Sequence, residues 1–179
     1  MKVGIISDIH GYPERFRKAL EFIKDSDIIL CAGDVLYHGP RNPILDGYNP
    51  MELADEIKSC ITPMLIARGN CDAEIDMALT DFHVFIPVVL YDNNGTRFMI
   101  MHGHDIEFDK LKKMAKAYKV NIMITGHTHV RLLKEEDGTI FINPGSIGVP
   151  KGDGQPSIAV YEDGNISFIN IDTGKKINM

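Results

Sequence analysis

Short apolar blocks recur along this chain, and the period within each block predicts its element. Residues 2–7 form an apolar run of β type, and Phe16, Ala19, Leu20 and Ile23 then fall on one helix face. A second apolar run covers residues 28–32. The long stretch 35–48 is rich in Gly, Pro and Asn, and a loop of that size is more often functional than idle. Asn49-Pro50 reads as an N-cap followed by proline at the first helical position, opening a helix with Leu53, Ala54 and Ile57 on its apolar face. Residues 64–67 complete a β-α-β-α-β order, which predicts a parallel sheet with right-handed crossovers.

Strand signals dominate the second half. Runs at 84–91 and 97–101 flank Asn93-Asn94-Gly95, a hairpin signature. Phe108, Leu111, Ala115 and Tyr118 share one face of an expected helix, and residues 122–125 are the next strand. The segments 132–134, 140–142, 158–161 and 166–171 read as an antiparallel meander with turns at Asp137-Gly138 and Asp163-Gly164. No repeat, low-complexity tract or linker interrupts the pattern, so one domain spanning 1–179 is expected.

Composition narrows the class. A hydrophobic fraction of 44% and a charged fraction of 25% are those of an ordinary globular protein. No apolar run is long enough to cross a bilayer, and residues 2–8 carry no signal core, so a cytoplasmic location is expected, with no membrane partner. Cys31, Cys60 and Cys71 cannot all pair within one chain and form no CxxC, which fits a reducing compartment. The net charge of −6 argues against coating extended nucleic acid. It leaves room for a local anion site, because bound metal ions would reverse the field there.

The chemistry concentrates where apolar runs end. Asp8-Ile9-His10 follows the first run, Gly33-Asp34 the second and Gly69-Asn70 the third. His102-Gly103-His104 and Gly126-His127-Thr128-His129 follow two later ones. Parallel strands bind ligands at their carboxyl edge, so five strand ends would deliver N and O donors to one rim. Carboxylate, amide oxygen and imidazole suit Mn, Fe, Co, Ni or Zn better than Mg. Asp34 is the natural bridge between two ions, which would clamp a phosphoryl group and acidify water.

The ordered set DxH, GD, GN, HGH and GHTH resembles that of the calcineurin-like metallophosphoesterase superfamily. Ser7-Asp8-Ile9-His10-Gly11, the stretch from Gly33 to Asn42, Arg68-Gly69-Asn70-Cys71-Asp72 and Asn143-Pro144-Gly145-Ser146 are more narrowly similar to the YfcE-type small phosphodiesterases. The resemblance implies an α/β fold of two face-to-face sheets flanked by helices, four layers in the order α/β/β/α. It implies one metal held by Asp8, His10, Asp34 and His129, and another by Asp34, Asn70, His102 and His127. Two divalent transition-metal ions are expected, Mn first among them, with Ni, Fe, Co and Zn as alternatives.

One position departs from the wider superfamily. Its third motif reads Gly-Asn-His, whose histidine is thought to assist the leaving group, and here that position is Cys71. A neutral thiol is a poor acid, so His104, His38 and Arg41 are the candidates for assisting catalysis. Arg41 could fork onto phosphate oxygens. Arg68 is expected to pair with a carboxylate, and His83 to be structural. The expected reaction is hydrolysis of a small phosphodiester by a hydroxide bridging two metals. Phosphomonoesterase activity and a non-catalytic scaffold resembling a retromer subunit are the alternatives, and a homo-oligomer is left open.

Overall fold

The computed structural model describes residues 1–81 and 85–179. In chain order, β1 (Lys2–Ile6), α1 (Pro13–Ile23), β2 (Ile28–Cys31), α2 (Pro50–Ser59) and β3 (Met64–Ala67) form the expected alternating unit. Asn49 caps α2 by accepting from the Glu52 backbone at 3.2 Å, with Pro50 opening the helix. Next come α3 (Glu74–Thr80), β4 (Phe85–Ile86), β5 (Val88–Asn93) and β6 (Thr96–Met101). The chain continues through α4 (Phe108–Tyr118), β7 (Ile122–Ile124), β8 (Leu132–Glu136) and β9 (Thr139–Asn143). It ends with β10 (Ser157–Glu162), β11 (Asn165–Asn170) and β12 (Lys176–Ile177).

These strands make two mixed sheets, ordered β12-β11-β10-β1-β2-β3-β4 and β5-β6-β7-β9-β8. The two-residue side-chain period of a strand sorts the core into layers. Val3 and Ile5 of β1, with Ile28 and Leu30 of β2, meet Phe98, Ile100, Ile122 and Ile124 between the sheets. Their neighbours Ile6, Ile29 and Cys31 face the other way, onto Phe16, Ala19 and Ile23 of α1 and Leu53 and Ile57 of α2. On the far side, Met99, Met101 and Met123 pack against Leu111 and Ala115 of α4. Three apolar interfaces therefore separate four layers, α/β/β/α, as the resemblance implied.

Three expectations need correcting. The run read as one strand over 84–91 is two: β4 pairs with β3 in the first sheet, and β5 pairs with β6 in the second. Pro87 separates them, since proline has no N–H to continue a ladder; Val84 and His83 lie outside the described residues. The expected C-terminal meander is also split. The β8–β9 hairpin joins the second sheet, where β9 runs parallel to β7, whereas β10–β11 joins the first sheet beside β1. Tyr118 is 51% exposed and does not share the buried face of Leu111 and Ala115. Helix α3 had no clear signal, because Ile75 is exposed while Met77 and Leu79 only partly cover the helix-side core.

Candidate metal centre

β1, β2 and β3 run parallel in the first sheet, and β6 and β7 run parallel in the second. Their carboxyl ends meet at one rim. Asp8 and His10 leave β1, Asp34 leaves β2, Asn70 leaves β3, His102 leaves β6, and His127 and His129 leave β7. The backbone there is tightly laced: Asp8 N–H donates to Gly33 O, His10 N–H to Asp34 O and Gly126 N–H to His102 O, at 3.0, 3.0 and 3.1 Å. Asp8, His10, Asp34, His127 and His129 all adopt positive φ, between 51° and 66°. Non-glycine residues reach that region at a cost of roughly 1–3 kcal/mol each, which is typical of functional sites. Two glycines are needed for close approach. A Cβ at Gly69 would lie 2.1 Å from Asp34 Oδ1, and one at Gly126 would lie 2.0 Å from Ser7 Oγ.

Three imidazoles are oriented by backbone carbonyls. His10 Nδ1 donates to Tyr37 O at 2.8 Å, His102 Nδ1 to Ala32 O at 2.7 Å and His129 Nδ1 to Val149 O at 2.5 Å. That tautomer turns each Nε2 lone pair inward, the arrangement found around metal-bound histidines. His10 Nε2 and His129 Nε2 then face each other at 3.2 Å, and Asp8 Oδ1 lies 3.6 and 3.2 Å from them. Asp8 Oδ2 is occupied, accepting from Ser7 Oγ and His127 N–H. Asp8 Oδ1 is buried with no hydrogen-bond partner among the described residues. An orphaned anionic oxygen facing two imidazole lone pairs requires a cation.

A second convergence lies alongside. His102 Nε2 is 3.1 Å from Asn70 Oδ1 and 3.2 Å from Asp34 Oδ2, and Asn70 Oδ1 is 2.9 Å from His127 Nδ1. Asp34 Oδ2 is also 3.8 Å from His10 Nε2, so this one oxygen stands between the two groups. Asp34 Oδ1 is turned away and accepts the Cys71 N–H at 2.8 Å. The residues present therefore fit divalent metal.

The electrostatics match. Burial alone would raise the pKa of Asp8, but the neighbouring imidazoles of His10 and His129, once protonated on Nε2, hold its carboxyl well below the usual range. Asp34 is lowered too, with burial outweighed by His102. His10 is raised despite its burial, by Asp8 and the Tyr37 carbonyl. Burial opposes ionisation of His102, yet Asp34 and Asp8 raise it to about 9. In the absence of an ion, these two carboxylates favour the protonated forms of His10 and His102.

A match to the family model of the calcineurin-like phosphoesterase superfamily domain covers residues 1–164. The chain belongs to that superfamily. Among its relatives, phosphodiesterase YfcE of Escherichia coli K12 is 30% identical over 94% of this chain and 91% of its own length. Phosphodiesterase MJ0936 of Methanocaldococcus jannaschii is 28% identical, over 81% of this chain and 83% of its own. The solved structure of the E. coli phosphoesterase superposes with a TM-score of 0.87 at 27% identity, covering 99% and 97% of the two chains. A Vps29 of Entamoeba histolytica, solved with zinc, shares the fold with a TM-score of 0.71 at 21% identity, over 99% of this chain and 96% of its own.

The centre opens into a cleft of about 850 Å³. Arg41, Arg68, Cys71 and Lys151 are on its wall. Arg68 is not carboxylate-paired among the described residues; its Nε donates to the Asp72 carbonyl at 3.3 Å. Cys71 is half-buried, and burial together with the Asp34 charge pushes its thiol up to about 12. The His104 ring is exposed, 5.6 Å from the ring of His102 and 6.0 Å from that of His127. His38 points elsewhere: its ring is wedged between Tyr37 and Tyr48, at 4.6 and 5.3 Å.

Two groups of positioning residues had no role assigned from the sequence. The buried Asp72 carboxylate accepts from the backbone N–H groups of Asp34, Val35 and Gly69, at 2.9, 2.7 and 2.7 Å, tying the β2 and β3 loops together. Burial raises its pKa against those hydrogen bonds. Ser146 Oγ donates to Asp8 O and accepts from Val149 N–H, while Asn143 Nδ2 donates to Gly126 O. The Asn143-Pro144-Gly145-Ser146 motif thus supports the loop that orients His129. Its position beside a strand end was the available signal. Lys151 had none.

Proposed function

We propose that this chain hydrolyses a small phosphodiester at a pair of divalent transition-metal ions, Mn first, with Ni, Fe, Co or Zn as alternatives. The observation that carries the reading is Asp34 Oδ2, placed between the Asp8–His10–His129 group and the Asn70–His102–His127 group. A bound pair would polarise phosphoryl oxygens and lower the pKa of water. The chain's own residues do the rest. Asp34 holds both halves in register, and the carbonyls of Tyr37, Ala32 and Val149 keep three imidazoles in the ligating tautomer. His104, at the open edge, is the group proposed to hand a proton to the departing alcohol. Arg41 is proposed to hold non-bridging phosphate oxygens. His38 sits away from the cleft lining and is proposed to support the 35–48 loop instead.

A diester is favoured over a monoester because Cys71, a neutral thiol, stands where the wider superfamily has a histidine. A monoester carries more negative charge, and expelling its leaving group needs a cation or acid beyond the metals. The test supplies Mn and compares bis(p-nitrophenyl) phosphate with p-nitrophenyl phosphate. The diester should turn over faster, Cys71→Ala should stay within about threefold of wild type, and His127→Ala should lose activity by about 10²-fold or more. Faster monoester turnover, or a trapped phospho-cysteine, would overturn the assignment.

A further inference from the structure

The six arginines fall into two sets. Arg15, Arg17, Arg97 and Arg131 each make an ion pair with a carboxylate. Arg41 and Arg68 make none among the described residues, and both line the metal cleft. Lys151 also lines it without an ion pair among those residues. The three come from separate loops. Arg41 follows Asp34, Arg68 precedes Asn70, and the Lys151 N–H donates to the His129 carbonyl at 3.1 Å. Three cations thus line the cleft beside the candidate metal ligands, on a chain whose net charge is −6.

The same wall carries few counter-charges. Asp34 and Asp72 are buried and committed to His102 and to backbone N–H groups, which leaves Glu74 as the exposed acid there. Arg68 spends Nε on a carbonyl, and its two terminal nitrogens have no partner among the described residues. A scissile diester brings a single negative charge, little for this many cations around a metal pair. The cleft volume of about 850 Å³ is also near the upper end of the roughly 300–1,000 Å³ that ligand pockets span. A simple dialkyl phosphate would leave much of it empty.

We propose that the substrate is a phosphodiester carrying a second phosphate group, seated by Arg68 and Lys151 beside the metal centre. The proposal rests on the diesterase reading for the scissile group, and on the unpaired cations for the second. Guanidinium and ammonium groups both suit phosphate, the first as a fork and the second as a point charge.

Calorimetry on the Mn-supplied protein tests the seat without turnover. Thymidine 3′,5′-bisphosphate should bind about tenfold more tightly than thymidine 5′-monophosphate, as expected for one added charge-assisted contact. The advantage should shrink to about twofold in the double variant Arg68→Gln/Lys151→Gln and persist in Arg68→Lys/Lys151→Arg. Equal binding of the two nucleotides by wild type, or an advantage undiminished in the glutamine variant, would overturn the proposal. So would equal loss in the charge-conserving variant. Arg68 and Lys151 are both exposed, and matching circular dichroism confirms the fold. A parallel assay uses the p-nitrophenyl esters of the same two 5′-phosphates, where the 3′-phosphate should lower KM and leave kcat nearly unchanged. If neither ester is hydrolysed while the binding preference stands, the hydrolysis reading fails and the second-phosphate seat holds.

Discussion

The two halves of the proposed metal cage use the same kinds of side chain in different surroundings. Asp8, His10 and His129 are at most 4% exposed; in the other half His102 is equally buried and held by the Ala32 carbonyl, but Asn70 and His127 are exposed at the cleft. In the buried half, both imidazoles are fixed by backbone carbonyls, and the carboxylate has one oxygen tied and one orphaned. In the open half, His127 meets Asn70 through Nδ1 and has no such carbonyl among its hydrogen bonds. Low dielectric strengthens charge–charge attraction and shields it from salt. The buried half should therefore grip its ion, and the open half should exchange its ion and admit substrate.

The largest effect should come from removing what the halves share. Asp34→Asn keeps the shape but weakens the common carboxylate, so both ions should loosen. Activity with Mn should fall by about 10³-fold or more, beyond the roughly 10–100-fold typical of outer-shell changes. Metal analysis showing a full complement in that variant would break the comparison at its root.

The halves should then separate under single truncations. His127→Ala should keep about one ion per chain through gel filtration, while His129→Ala should lose the tightly held one. Equal metal content in the two variants would mean that burial does not set retention. Asp72→Asn tests whether the β2 and β3 loops need their clamp. It should weaken metal binding by about 10–100-fold, measured by chelator competition, and leave the ligand set itself intact.

The smallest effect is in pH. His102 is raised from 6.5 to about 9 in the metal-free chain, burial being outweighed by Asp34 and Asp8. Its proton therefore stabilises the metal-free fold fully below pH 6.5, and that contribution fades as pH rises through about 9. An ion must displace the same proton, so apparent metal affinity should climb with pH and level off near 9. His127 is lowered instead, by burial and the charge on His102, and should add little to the slope. Calorimetry in two buffers of different ionisation enthalpy measures the protons released. Release undiminished in His102→Ala would assign it elsewhere, His10 being the other raised imidazole.

Much of the architecture was legible in periodicity. The β1-α1-β2-α2-β3 unit, the Asn94-Gly95 turn with φ of 50° and 82°, and α4 all fall where the spacing of apolar residues puts them. Local signals fail where partners are distant. Nothing in residues 84–91 says that Pro87 divides the two sheets, or that 158–161 will pair with β1 and 140–142 with β7. The arrangement of the donors was legible through motif order, because a strand end followed by His or Asp is a local event. The roles of Asp72, Ser146 and Lys151 were not, since each acts on backbone or space supplied by another loop.

The sequence by itself determined most of the elements, the alternating faces of the strands, and the placing of seven candidate donors at strand ends. Those depend on side-chain period and on residues a few positions apart. Only the tertiary structure decided that Asp34 Oδ2 stands between two groups of donors, that Asp8 Oδ1 has no hydrogen-bond partner among the described residues, and that two arginines and Lys151 without ion pairs among those residues line one cleft. The physical reason is that a lone pair or a charge is defined by what lies within a few ångströms of it. At this rim the neighbours come from loops more than a hundred residues apart, as His10 and His129 do.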